Sequence, residues 1–171
     1  MKNCLAKNNW GGEGMERIEE LPKEFQGAIQ NLTALMGLAM AYRERYGDES
    51  LQVLRSFGEK MGAKTGNELK QKGEIKGSEV EDLRKMMELF TRGVGVKLRY
   101  ETEANKLRII REAPSLCPMI FVSKALKIPL RTVCENLAFP RLRAIMKTVN
   151  PNVKHTCVEL GEQKCVDELE I

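Results

Sequence analysis

The sequence predicts a single α+β domain, with N-terminal helices followed by a four-stranded, mainly antiparallel sheet in a hairpin–helix–hairpin order. Three observations carry this expectation. From Leu21 to about Arg92 the apolar residues recur at three- and four-residue steps, the spacing of helices with one buried face. At Val94 the period switches to two. Two segments, 94–112 and 153–171, then read as strand–turn–strand, with one more helical stretch between them.

Residues 1–20 read as a flexible lead-in, because Asn8, Asn9, Gly11, Gly12 and Gly14 surround Trp10. The single domain is expected to span 21–171. Phe25, Ile29, Leu32, Leu35 and Met36 mark the buried face of a first helix, which Gly47 should stop. Asp48 or Ser50 should cap the second, whose apolar face is Leu51, Leu54, Phe57 and Met61. Gly58, Gly62 and Gly66 share one face of that helix, and each costs about 1 kcal/mol relative to Ala. Close approach of another helix offsets that cost in the leading reading, and approach of a ligand in the other. Gly73 and Gly77 break the chain. Ser78 and Glu81 have capping-box spacing ahead of Val80, Leu83, Met86, Met87 and Phe90, on a helix that should end near Gly93.

Val94, Val96, Leu98 and Tyr100 alternate with polar residues as the first strand. Glu103 to Asn105 turns the chain, Lys106 to Glu112 returns it, and Pro114 ends the hairpin. Ser123 to Leu126 is a short helical candidate. Pro129 suits a helix N1 position, and Val133, Leu137, Leu142, Ile145 and Met146 continue a helical face that Pro140 should kink. After the stop at Asn150 to Asn152, Val153 to Leu160 and Lys164 to Ile171 form the last hairpin about Gly161.

At 171 residues, 42% hydrophobic and 30% charged, the chain can bury one core and stay soluble. Its longest apolar run, Leu32 to Ala41, is about half of a membrane span, and Met1 to Gly14 lacks a secretory pattern. A cytoplasmic protein with no membrane partner is therefore expected. The net charge is only +4, the acidic and basic residues are interleaved, and aromatics make up 5%. The excess at Arg131, Arg141, Arg143 and Lys147 lacks the stacking platforms of a nucleic-acid groove, so no nucleic-acid partner is expected. A homodimer is compatible with the sequence.

Five cysteines in such a chain read as reduced thiols, metal ligands or reactive groups rather than a disulfide frame. Cys4 stands alone, whereas Cys117, Cys134, Cys157 and Cys165 fall in the last third. No pair has the C-x-x-C spacing of a local metal or redox site, so the fold would have to assemble any shared site. Strand parity suggests which ones meet. If Thr156, Val158 and Leu160 face the same core as Cys165, Leu169 and Ile171, then Cys165 points inward. Cys157 and His155 then point away, as parts of a second, more exposed site.

The residues Cys117–Pro118, Cys134 on a helix, Asn150–Pro151 and the Gly-Glu-Gln-Lys-Cys run from Gly161 to Cys165 resemble the C-terminal half of the aminothiazoline-carboxylate hydrolase family. That family is similar in turn to the 4-vinyl-reductase domain. The likeness covers roughly 93–171, with a weaker echo at Gly58 to Gly66. It implicates Cys117, Cys134 and Cys165, and it implies a small-molecule pocket between helices and sheet.

The leading expectation is a sensor or carrier domain that binds a small molecule or a metal in a cysteine-lined pocket. Thiolates would take zinc or iron. The alternative is a ring-opening hydrolase, which needs a nucleophile or metal-bound water and a general acid or base. Cys157, His155 and Glu135 are the secondary candidates for those roles.

Overall fold

The computed structural model describes residues 18–72, 75–92, 95–113, 115 and 117–171. Cys4 and most of the lead-in lie outside them, as do the expected breaks at Gly73, Gly93 and Pro114 and the strand start at Val94. The fold class is as predicted. Helices α1 (Lys23–Tyr46), α2 (Glu49–Gln71) and α3 (Val80–Arg92) precede strands β1 (Arg99–Thr102) and β2 (Lys106–Glu112). Helices α4 (Pro118–Leu126), α5 (Leu130–Val133) and α6 (Phe139–Val149) come next, and β3 (Lys154–Leu160) and β4 (Lys164–Glu170) close the chain. The strands form one antiparallel sheet in the order β1-β2-β4-β3, so the two hairpins join along β2 and β4. Among the described residues no helix is long and apolar enough to cross a membrane.

The helix ends show which local signals count. Gly47 stops α1 at φ 72°, a left-handed backbone that glycine adopts without strain, and its N–H bonds to the Arg43 carbonyl at 2.8 Å. Asp48 precedes α2, but its carboxylate takes the Arg43 guanidinium at 2.6 Å instead of capping backbone N–H groups. The acidic half of the expected capping box forms at α3 one residue later than its sequence signature. Asp82 Oδ2 accepts the Glu79 N–H at 3.2 Å, while Glu81 pairs with Arg84. At the start of the domain, Ile18–Glu20 already forms a helical turn, and Ile18 packs with Leu21, Phe25 and Phe121. Packing therefore extends at least to Ile18, ahead of Leu21.

The main core lies between the sheet and the helices α3 and α6. Leu83, Met86, Leu107, Ile145, Met146 and Leu169 are all 0% exposed there. Full burial of each such side chain contributes about 1.5–3 kcal/mol. A second cluster joins α1, α2, α4 and α5 through Met36, Leu51, Leu54, Val122 and Val133. The glycine face of α2 packs on α6. A Cβ at Gly62 would press on the Arg141 carbonyl and lie 2.9 Å from the Ala144 Cβ, so the close approach is helix on helix.

Two departures from the expected elements shape the interior. Strand β1 starts only at Arg99, because Lys97 bonds through its N–H and carbonyl to the Ser115 hydroxyl rather than to a strand. The helical stretch before Pro140 is a π turn, Cys134–Ala138, in which the Phe139 N–H bonds to the Cys134 carbonyl. Proline has no N–H and its ring crowds the carbonyl four residues back, so the backbone widens one turn earlier. Pro129 stands just before α5 as its N-cap, and Pro118 opens α4 at its first position, five residues earlier than Ser123.

Candidate functional site

A cavity of about 450 Å³ lies between the helices and the sheet, within the ~300–1,000 Å³ common for small-molecule sites. Leu32 of α1, Leu54 of α2, Met87 of α3 and Leu137 of the π turn supply apolar walls, with Ile109 on the sheet side. Leu35, Phe57 and Met61, expected on buried helix faces, line the cavity yet are 37%, 47% and 36% exposed. They are the apolar residues through which the cavity wall continues to the protein surface. The π turn contributes Cys134, Leu137 and Ala138 together, which places a thiol beside hydrocarbon in that part of the wall.

All three principal cysteine candidates line this one cavity. Cys117 is the N-cap residue of α4 in extended conformation, followed by Pro118. Burial pushes its thiol up, against the opposing pull of the Met119 and Ile120 backbone N–H groups and of Arg111. Burial also raises the Cys134 thiol strongly, and the neighbouring Cys117 and Cys165 thiols raise it further. These two thiols therefore hold their protons at neutral pH. Among the described residues no three His, Cys, Asp or Glu side chains lie close enough together to grip a metal ion.

Arg111 is the polar hub of the sheet side. It is 5% exposed, and it occupies the β2 position opposite Cys165 on β4. Its Nη2 donates to the Gly161 carbonyl at 2.7 Å, the Glu162 carbonyl at 3.0 Å and Cys165 Sγ at 3.3 Å. Nη1 donates to the Ser115 carbonyl at 3.3 Å, and Nε has no partner among the described residues. The Cys165 thiol in turn donates to the Gly161 carbonyl at 3.1 Å. This cation is thus held by neutral dipoles and, among the described residues, has no carboxylate partner.

The parity expectation for the last hairpin needs correction. Register partners on neighbouring strands share a face, and His155 pairs with Leu169, Cys157 with Asp167 and Leu160 with Cys165. All six therefore face the helices. A bulge between Cys157 and Glu159 takes up Val158 as an extra residue, so the inward set changes from odd to even numbers along β3. Val158 is 56% exposed as a result.

His155 consequently lies inside the protein, its side chain only 1% exposed. Arg143 Nε donates to His155 Nδ1 at 3.2 Å, which assigns the ring hydrogen to Nε2, 2.9 Å from Asp167 Oδ1. The ring also packs on Phe139 with centroids 5.0 Å apart. Asp167 lines the cavity, whereas His155 and Cys157 stand behind it. Burial and the Asp167 carboxylate push the Cys157 thiol up to about 11. Glu135 turns to solvent and pairs with Arg131 at 3.4 Å, so it is not part of this cavity.

Three charged lining residues are not marked as site residues by the sequence patterns: Arg111, Arg141 and Asp167. Arg111 and Asp167 are within reach of strand parity, because each shares it with buried neighbours, Leu107 and Ile109 in one case and Leu169 in the other. Arg141 reads in sequence as part of a basic surface patch. Its guanidinium instead lies over the Phe90 ring at 5.2 Å, and its buried Nε has no partner among the described residues. Burial holds Arg141 below the usual guanidinium range. No protein-family model matches this chain, and no curated protein matches it either.

Proposed function

We propose that this domain is a cytoplasmic small-molecule-binding module of the sensor or carrier type, with its ligand held in the cysteine-lined cavity. One observation carries the reading. Cys117, Cys134 and Cys165, far apart in sequence and implicated together by the family resemblance, line a single cavity of about 450 Å³. Its mostly apolar wall, with a few convergent polar groups, suits an organic ligand better than a bare ion. The free thiols agree with a reducing compartment.

The test is uptake of a neutral fluorescent probe, Nile red, by the purified protein. Saturable uptake by the wild type, lost when Ala138→Trp fills the wall, is the expected result. No uptake, or uptake indifferent to Ala138→Trp in a folded protein, overturns the reading.

A second reading, hydrolysis of the aminothiazoline-carboxylate type, is favoured by one feature. Asp167 lines the cavity and is oriented from behind by His155 Nε2 at 2.9 Å, as a general base would be. Turnover of a thiazoline carboxylate that disappears in Asp167→Asn would move the reading from binding to catalysis. Zinc or iron on the three cysteines would appear as stoichiometric metal in elemental analysis of protein purified under reducing conditions.

A further inference from the structure

We infer that the cavity's ligand is an apolar organic acid, a monocarboxylate on a hydrocarbon body, with its acid group held by Arg141. This deepens the small-molecule reading and rests on it. Two guanidiniums line the cavity, and among the described residues neither has a carboxylate partner. Arg111 is buried and Arg141 is partly buried; a cation withdrawn from water is costly unless paired, and proteins seldom leave one facing an apolar space without an anion to fill it.

The two arginines differ in what they can still bind. Arg111 has most of its fork committed to Ser115, Gly161, Glu162 and Cys165. Arg141 makes no side-chain hydrogen bond or ion pair among the described residues. Its guanidinium lies over the Phe90 ring, a contact that steers the guanidinium plane without using its N–H donors. Those donors match the two oxygens of a carboxylate in a planar fork. Arg111, fixed and 5% exposed, adds positive potential to the same wall.

The remaining wall decides the other end of the ligand. Leu32, Leu54, Phe57, Met61, Leu137 and Leu142 line it, and the cavity is far larger than a carboxylate needs. A hydrocarbon body of several carbons fills that space, while a small polar metabolite would leave it wet. Asp167, the one carboxylate on the wall among the described residues, is engaged by His155 at 2.9 Å. It sets the place that the ligand's acid group avoids.

The test compares decanoate, decanol and decylamine as competitors of bound Nile red on the full chain at neutral pH. Decanoate is expected to displace the probe at about ten- to hundredfold lower concentration than decanol, the gain of a charge-assisted hydrogen bond in a desolvated site. Arg141→Gln should bring decanoate to the decanol level, while Arg131→Gln, away from the cavity, should keep the preference. Equal competition by acid and alcohol in the wild type, or preference for the amine, overturns the acid inference and leaves the cavity reading standing. An acid preference that survives in Arg141→Gln overturns the assignment to Arg141. Failure of Nile red to bind the wild type at all removes both. The acid–alcohol comparison needs no variant, so a misfolded Arg141→Gln would not shelter the inference.

Discussion

Gly62 on α2 meets the backbone of Arg141 on α6 so closely that a Cβ there would press on the Arg141 carbonyl oxygen and lie 3.1 Å from its Cα. The residue whose side chain lines the cavity is thus fixed through its main chain by a glycine on the opposing helix.

Gly62→Ala is therefore expected to destabilise the protein by about 1–3 kcal/mol, the cost of overpacking, even though helix propensity alone favours alanine by about 1 kcal/mol. Gly58→Ala is the internal control. Its Cβ would meet Pro140 Cβ at an ordinary 3.6 Å, so that change should be neutral or stabilising by up to about 1 kcal/mol. Urea unfolding of the two variants separates them, and equal midpoints would show that helix packing does not depend on Gly62.

The expected order of elements matches the structure because each rests on a local pattern with a physical cause: helical spacing in α1 to α3, period two in the strands, glycine at the end of α1. The gathering of Cys117, Cys134 and Cys165 was legible only through resemblance and the inward parity of Cys165. What stayed hidden was set by backbone irregularities. The bulge at Val158 reverses parity along β3 and brings His155 inside, and no residue at that point announces it. The π turn ahead of Pro140 decides which residues of Cys134 to Ala138 reach the cavity. Arg141 reads as a surface charge in sequence because its burial depends on α2 and α3, which are distant in the chain.

Arg111 should behave as a clamp on stability. Replacing it with Met removes the donor from the Ser115, Gly161 and Glu162 carbonyls together. A loss of about 2–4 kcal/mol is expected from these partners left short of hydrogen bonds. Arg111→Lys should rescue little, because an ammonium cannot span three carbonyls with a planar fork. Denaturant midpoints read the loss. Amide exchange around Gly161 should accelerate in both variants, and unchanged exchange there would contradict the clamp.

Alkaline pH should destabilise the fold through its thiols. An acid whose folded pKa is raised keeps its proton in the native state after the unfolded chain has lost it. The unfolded state then binds fewer protons, and stability falls as pH rises. For Cys157 the window runs from the ordinary 9.0 to about 11. Burial of Cys117 and Cys134 acts in the same direction. Stability measured by urea unfolding under reducing conditions should be flat below about pH 8 and decline above 9, less steeply in Cys134→Ala. A flat profile through pH 11 would mean that the thiols ionise as readily in the fold as outside it.

His155 orients the cavity's carboxylate, Asp167, from behind. His155 Nδ1 accepts from Arg143, Nε2 faces Asp167, and the ring rests on Phe139, so the imidazole is fixed on three sides. His155→Phe keeps most of the ring contact but strips Asp167 of its partner and leaves a carboxylate short of a hydrogen bond in a largely buried place. Asp167→Asn keeps a carbonyl that can still accept from Nε2 and removes the charge. In a double-mutant cycle the two changes should be non-additive by about 0.5–3 kcal/mol, with the double variant more stable than the single losses imply. The reason is that once the charge is gone, the missing imidazole no longer exposes an unpaired anion. Additive losses would mean that His155 and Asp167 are neighbours without energetic coupling, and that Asp167 takes its orientation from the strand alone.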